Sequence, residues 1–364
     1  MNKKKDKLCY ILPLFDLKTD SHFYHIYDFI NKAAVSLDLT LIIEKNSSDT
    51  SFFSNVSHVQ IQRFTFLPLR IIENLFLIIQ ARITGCKKFY IHYSYISALN
   101  SSIICKLTGG KNWYWNCGMM WLFKKDRLNQ FLIKISLHSV NYLVTGAESL
   151  IDGYSENYKI SKDKIKVMPN WIDPSRFNKK YNRDSIIKKF SLRDGKYYIL
   201  FLHRLVQRKG VNYIIPIAKQ FGSDYTFIIA GDGPYKETLR NKVLEANLKN
   251  VQIIGKVSND QVPQLMNVAD VFFMPSEEEG FPRVLAEAMA SGLPYVASDI
   301  GGVKEISPTC EQEYIYPVGD LEGFVFGIKK ILTTNKSSFE NCLKKKSNDY
   351  NQSDVLNIFI NLFK

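Results

Sequence analysis

The stretch Ser276-Glu-Glu-Glu-Gly-Phe-Pro-Arg-Val-Leu-Ala-Glu-Ala-Met-Ala-Ser-Gly-Leu-Pro294 follows a short apolar run, Asp270-Val-Phe-Phe-Met-Pro275. The two together read as strand, loop and helix. The apolar, aromatic run suits a strand buried on both faces of a parallel sheet. Gly280 permits a tight turn and close approach of backbone to a ligand. Pro282 fits the first helical position. Val284, Leu285, Ala288 and Met289 then fall at helical spacing, and Gly292 fits a C-terminal cap. Glu279 therefore sits in the loop and Glu287 inside the helix, with seven residues between them. A helix start offers free N–H groups and a positive dipole end, which favour a diphosphate. Carboxylates at its edges accept hydrogen bonds from sugar hydroxyls. The pattern points to a socket for a sugar nucleotide. A solvated acidic loop before an ordinary amphipathic helix is the alternative.

Working outward, strand-like runs alternate with helical ones. In the first half strands are expected at 8–13, 39–43, 59–63, 88–92, 112–115 and 142–145, with helices at 21–35, 68–83 and 96–107 between them. The second half repeats the plan, with strands at 197–202, 225–230, 251–254, 271–274 and 295–297. Such alternation predicts parallel sheets wound on both faces. A turn-rich stretch near 169–185 reads as a linker. The predicted domains are 1–172, 173–345 and a last segment, 346–364. Ligands of such folds sit beyond the carboxyl ends of the strands, so two facing domains imply a cleft.

The chain has 364 residues, 46% of them apolar, which is ample for two cores. The net charge is +13. Lys and Arg outnumber Asp and Glu by 22 to 14 up to residue 175 and by 26 to 21 beyond it, so the excess is denser in the first half. A basic balance serves anionic ligands or lipids; no nucleic-acid module is recognisable, and nucleic acid is not expected as a partner. The six cysteines show neither paired nor metal-ligand spacing and suit a reducing compartment. The start Met1-Asn-Lys-Lys-Lys-Asp-Lys7 leads into a strand with no cleavage site, and no apolar run approaches about 18 residues. A cytoplasmic chain, peripheral on the inner face of the membrane or free of it, is the expectation.

Arg204 and Lys209, five apart after a strand, suit phosphates: arginine gives a planar fork, lysine a point charge. Arg208 competes for the same task. No Asp-x-Asp pattern stands at a strand end, so no metal or other cofactor is expected. Asp232 reads as a turn residue. Apolar 68–83 is expected to be buried in its domain; the other reading lays it on a membrane with Arg70, Arg82, Lys87 and Lys88 at headgroups. Trp113, Tyr114, Trp115, Met119, Met120 and Trp121 suit core packing, or else sugar or lipid.

The 276–294 run resembles the donor-site motif of retaining glycosyltransferases of family 4 (glycosyl transferases group 1). Four other segments match in the same order. These are Val167-Met-Pro-Asn-Trp-Ile-Asp-Pro-Ser-Arg-Phe177, His203-Arg-Leu-Val-Gln-Arg-Lys-Gly210, Ile229-Ala-Gly-Asp-Gly-Pro234 and Gly301-Gly-Val-Lys-Glu305. The likeness is good over about 165–325 and weak before it. It implies an α/β chain of the GT-B fold, two Rossmann-like doubly wound domains facing across a cleft, with the last helix crossing back to the first domain. The first domain would take the acceptor and the second the nucleotide-sugar. It further implies a glycosyltransferase using a nucleotide-sugar, with UDP the default base and GDP the alternative. The acceptor would be a glycan or lipid-linked glycan of a cell-surface polysaccharide. Glu279 would hold the donor sugar and act with Arg204 and Lys209 in catalysis. Glu287 would hold the ribose, the backbone from Gly280, Phe281 and Pro282 to Val284 and Leu285 the phosphates, with Gly231 and Val257 also at the donor. Thr19, Ser21, His22 and Cys117 stand where the family contacts sugar or acceptor. The family's glycine-rich first loop is missing here, and Cys117-Gly118 replaces its His-Gly. Synthases or epimerases of the same fold, and a catalytically degenerate assembly subunit, stay open.

Overall fold

The computed structural model describes residues 5–17, 24–122, 126–335 and 337–364. The chain forms two compact units, residues 170–351 and the remainder, residues 352–364 belonging with the first. Unit 1 contains β1 (Lys7–Leu12), α1 (Tyr24–Ser36), β2 (Asp38–Ile43), β3 (His58–Ile61), α2 (Leu67–Ile83), β4 (Lys88–His92), α3 (Tyr95–Thr108), β5 (Lys111–Trp115), α4 (Arg127–Ser139), β6 (Tyr142–Thr145), α5 (Ser149–Tyr158) and β7 (Ile165–Val167). Unit 2 contains α6 (Arg183–Lys189), β8 (Tyr197–Leu202), α7 (Ile214–Ala218), β9 (Tyr225–Ala230), α8 (Lys236–Glu245), β10 (Val251–Gly255), α9 (Val262–Val268), β11 (Val271–Met274), α10 (Arg283–Ala290), β12 (Tyr295–Ser298), α11 (Val303–Ile306), β13 (Ile315–Tyr316), α12 (Leu321–Thr333) and α13 (Ser337–Ser347). The last helix, α14 (Gln352–Asn361), belongs to unit 1.

Both sheets are parallel. Their orders are β3-β2-β1-β4-β5-β6-β7 and β10-β9-β8-β11-β12-β13. The strand order therefore reverses at β1/β4 in unit 1 and at β8/β11 in unit 2, the positions where such sheets open a crevice. The central strands of unit 2 are apolar because helices cover both faces; Ile199, Leu200, Val271 and Phe272 are buried. In unit 1, Phe359 of α14 packs edge-on against Phe29 at 5.2 Å and Tyr90 at 4.9 Å.

Three sequence expectations are corrected. First, α2 is not a buried helix: only Asn74, Ile78 and Ala81 are buried, while Phe76 is 62% and Ile83 80% exposed. Arg70 and Arg82 do not project freely from it, since they bond Glu44 and Thr108. Second, two cysteines are joined. Cys310 and Cys342 form a disulfide across 32 residues of sequence, because α13 brings Cys342 to the segment before β13. Third, α10 begins at Arg283, so Pro282 is its N-cap, not its first residue. Trp113, Tyr114, Trp115, Met119 and Met120 are core residues.

Candidate functional site

The carboxyl ends of β8 and β11 meet at the reversal point of unit 2. After β8 comes His203, after β11 the loop Pro275–Pro282, and side chains of the two loops interlock. The Lys209 ammonium donates to the Glu279 carboxylate at 2.8 Å and to the Glu278 carbonyl at 2.9 Å. The Glu277 N–H donates to the Arg208 carbonyl, and the Tyr213 hydroxyl to the Glu277 carboxylate. Glycine makes this closeness possible. At Gly301 (φ 54°), a Cβ would lie 1.7 Å from the Glu279 carbonyl oxygen. At Gly231 (φ 140°), it would lie 1.9 Å from the His203 carbonyl oxygen. Neither position can carry a side chain.

Glu279 is 6% exposed, and its two oxygens differ. Oε1 takes both Lys209 and the His203 ring, the latter at 3.1 Å. The His203 Nδ1 accepts the Arg204 backbone N–H at 3.1 Å, so the ring proton is on Nε2 and is donated to Glu279. Burial, with the Lys209 charge, depresses the His203 pKa and keeps the ring neutral. Burial alone would raise the Glu279 pKa. The Lys209 charge and the His203 N–H outweigh it and hold the carboxyl far below the usual carboxylate range. Among the described residues, no donor meets Oε2. The result is a fixed carboxylate with one oxygen open to a hydroxyl. His203 is a site residue that sequence reading does not single out; its place between strand end and Arg204 is the available signal.

The other expected residues are distributed around this core. The Arg204 side chain is exposed, with no protein partner among the described residues. Arg208 lies 3.5 Å from the Glu278 carboxylate. Glu287, 7% exposed, is held by Arg283 one helical turn away at 3.0 Å. At the start of α10 the Leu285 N–H is taken by the Pro282 carbonyl at 2.9 Å, which removes it from the set available to phosphate. No protein acceptor meets the N–H of Arg283 or Val284 among the described residues. The Gly280 carbonyl accepts from the Gly302 N–H. Phe281 packs on Tyr350 at 5.1 Å, and its carbonyl accepts from Asn170. Gly231 donates to the Gly255 carbonyl at 2.7 Å, joining its loop to the segment holding half-buried Val257. Asp232 accepts from Gly233 and Lys236, as a turn residue does. In unit 1, Cys117 is buried beside Asn116 and Gly118, whose carbonyls accept the Tyr154 hydroxyl. Thr19, Ser21 and His22 lie outside the described residues. No group of three or more His, Cys, Asp or Glu that could hold a metal occurs among the described residues.

Residues 182–349 match the family described as glycosyl transferases group 1. The chain is 26% identical over 247 residues to the uncharacterized glycosyltransferase MJ1607 of Methanocaldococcus jannaschii, covering 63% of each. It is 27% identical over 197 residues to the UDP-Gal:alpha-D-GlcNAc-diphosphoundecaprenol alpha-1,3-galactosyltransferase of Escherichia coli, covering 52% of this chain and 51% of that one. The chain thus spans between half and two thirds of the length of these relatives. Among solved structures it is similar to Anabaena Alr3699/HepE in complex with UDP, with a TM-score of 0.78, 16% identity, and coverage of 98% of this chain and 99% of that one. At that identity the likeness carries the fold: two Rossmann-like units of the GT-B class.

Proposed function

We propose that the chain, whose residues 182–349 match the glycosyl transferases group 1 family, transfers a sugar from a UDP-sugar to a glycan or lipid-linked glycan in surface polysaccharide synthesis. The observation that carries this is Glu279: a buried carboxylate fixed through Oε1 by Lys209 and His203, with Oε2 open. Arg204 and the Arg283 and Val284 N–H groups at the α10 start offset charge on the departing diphosphate. Glu287, steadied by Arg283, takes the ribose hydroxyls. We assign no metal or other cofactor to the step. Transfer retains the anomeric configuration: the acceptor attacks from the face the diphosphate leaves, and a phosphate oxygen takes the acceptor proton. UDP is preferred because the HepE structure holds it and the Escherichia coli relative's name includes a UDP-sugar.

A thermal-shift screen against UDP, GDP and their sugars tests the donor, since a ligand of the folded state raises the melting point. A shift with GDP-sugars alone moves the reading to a mannosyltransferase-type enzyme. No shift with any nucleotide leaves the degenerate assembly subunit. NMR of the product anomer tests retention, and an inverted product sinks it.

A second observation bears on location. Besides Phe76 and Ile83 of α2, Leu107 of α3 and Leu128 and Phe131 of α4 are more than half exposed, on helices adjacent in unit 1. That supports peripheral attachment to an anionic membrane surface, which we assign to the cytoplasmic side. No helix among the described residues is long and apolar enough to cross a membrane. Flotation with anionic vesicles at varied salt tests attachment; no binding at low salt rules it out.

A further inference from the structure

We propose that unit 1 carries a second anion site, at the amino ends of β4 to β7, for a ligand bearing two or more phosphate groups. A cavity of about 720 Å³ opens there, within the usual range for small-molecule sites. Its charge is one-sided. Lys87, Lys88, Lys111, Lys166 and Lys364 line it, and no aspartate or glutamate does.

The strands set these lysines close together. Lys88 opens β4, Lys111 opens β5, and the register pairs them side by side. Like charges so placed on neighbouring strands are destabilising unless something offsets them. Asp6 takes Lys88 at 3.1 Å. Among the described residues no carboxylate reaches the other four. Lys364 has only the amide oxygen of Asn361, at 2.7 Å. Lys111 and Lys166 are poised over one ring, their ammonium groups 5.6 and 5.4 Å from the centre of Tyr142. The carbonyl end of α14 adds a fraction of one negative charge, against the four ammonium groups that no carboxylate reaches.

The remaining wall is apolar. Tyr142 stacks on Trp113 at 5.4 Å, Trp113 meets Phe363 edge-on at 4.9 Å, and Ile358 and Leu362 complete the surface. Ammonium groups are compact point charges suited to phosphate. The ligand is therefore an anion with clustered phosphates and a carbon body that can lie on this wall. A soluble polyphosphate ester and an anionic phospholipid headgroup share that chemistry.

The test compares wild type with Lys111→Gln/Lys166→Gln, in full-length protein. One arm titrates inorganic tripolyphosphate by calorimetry. The other floats the protein with cardiolipin vesicles, whose headgroup carries two phosphates, with pure phosphatidylcholine as control. Because Arg204 and Lys209 also attract polyphosphate, the reading is the difference between the two proteins. Removing two charge-assisted hydrogen bonds to phosphate is expected to weaken binding about a hundredfold, about tenfold for each, with UDP binding unchanged and the unliganded melting point not lowered. A drop with tripolyphosphate identifies a soluble ligand; a drop confined to cardiolipin identifies a lipid. Equal behaviour of the two proteins in both arms overturns the proposal. Lys87→Gln/Lys364→Gln, on other parts of the rim, gives the same reading should the first pair misfold.

Discussion

Glu44 and Glu279 are both buried glutamates at strand ends beside the reversal point of a parallel sheet, one in each unit, and they serve opposite ends. Glu44 follows β2. Its Oε1 accepts from the hydroxyls of Ser94 and Ser97, and its Oε2 from Arg70 at 2.8 Å. Both oxygens are committed to tying β2, α2 and α3 together. Glu279 has both of its protein donors on Oε1. The chemistry of the side chain is the same. What differs is the hydrogen-bonding capacity left over, and a buried carboxylate with an open oxygen is the one suited to a ligand.

The largest effects separate these two. Glu279→Ala is expected to cut sugar transfer by about 10³-fold per folded molecule, the scale on which a placed charge-stabilising group acts, a loss well beyond what the weakened fold accounts for. Glu44→Ala should do the reverse: it strips a buried pair and costs about 3 kcal/mol of stability, with donor binding intact in whatever fraction stays folded. Activity assays and thermal melts on both variants decide the matter. Near-normal transfer by Glu279→Ala would remove that residue from the site.

How much of this contrast the sequence carries follows from what each feature depends on. The central strands of both units are legible because each is an apolar run between turn residues. The strands β7 and β13 are not; with three and two residues they carry too little periodicity to register. Glu279, Lys209 and Arg204 are legible from spacing along a strand–loop–helix. His203 and Glu44 are not, because their roles arise from contacts 76 and 50 residues away. The exposure of α2 is hidden for another reason: composition says that a helix is apolar, not whether a neighbour covers it.

The cysteines sharpen the comparison at the next size of effect. Unit 1 holds Cys9, Cys86, Cys105 and Cys117 as buried free thiols, and unit 2 holds the Cys310–Cys342 bond. Closing a 32-residue separation constrains the unfolded chain by about 3–4 kcal/mol. Reductant should therefore lower the stability of unit 2 by that amount and leave unit 1 unchanged. Cys342→Ser should remove the response. Denaturant melts with and without reductant, followed by hydrogen exchange in each unit, measure it. Loss of protection in unit 1 instead would break the assignment.

The smallest effect lies within unit 2, where another buried glutamate, Glu311, makes the opposite choice from Glu279. Glu311 has one oxygen accepting the Tyr295 N–H at 3.3 Å and the other unpartnered. Burial, with no cation to offset it, pushes its carboxyl well above the usual range. The signs of the two linkages then differ. The stability from Glu279 is present above the unfolded carboxyl value of about 4.3 and is lost only as pH falls through its low folded value. The contribution tied to Glu311 is complete below that same unfolded value and is lost as pH rises through the raised folded one, because the buried acid must then ionise. Glu311→Gln keeps the shape and cannot ionise. Its melting point should match wild type near pH 4 and exceed it progressively toward pH 9, by about 2–4 °C, the shift that ~1 kcal/mol produces in a domain of this size. A difference that stays constant with pH would mean that Glu311 is not held neutral. The contrast with Glu279 would then reduce to the presence of Lys209 alone.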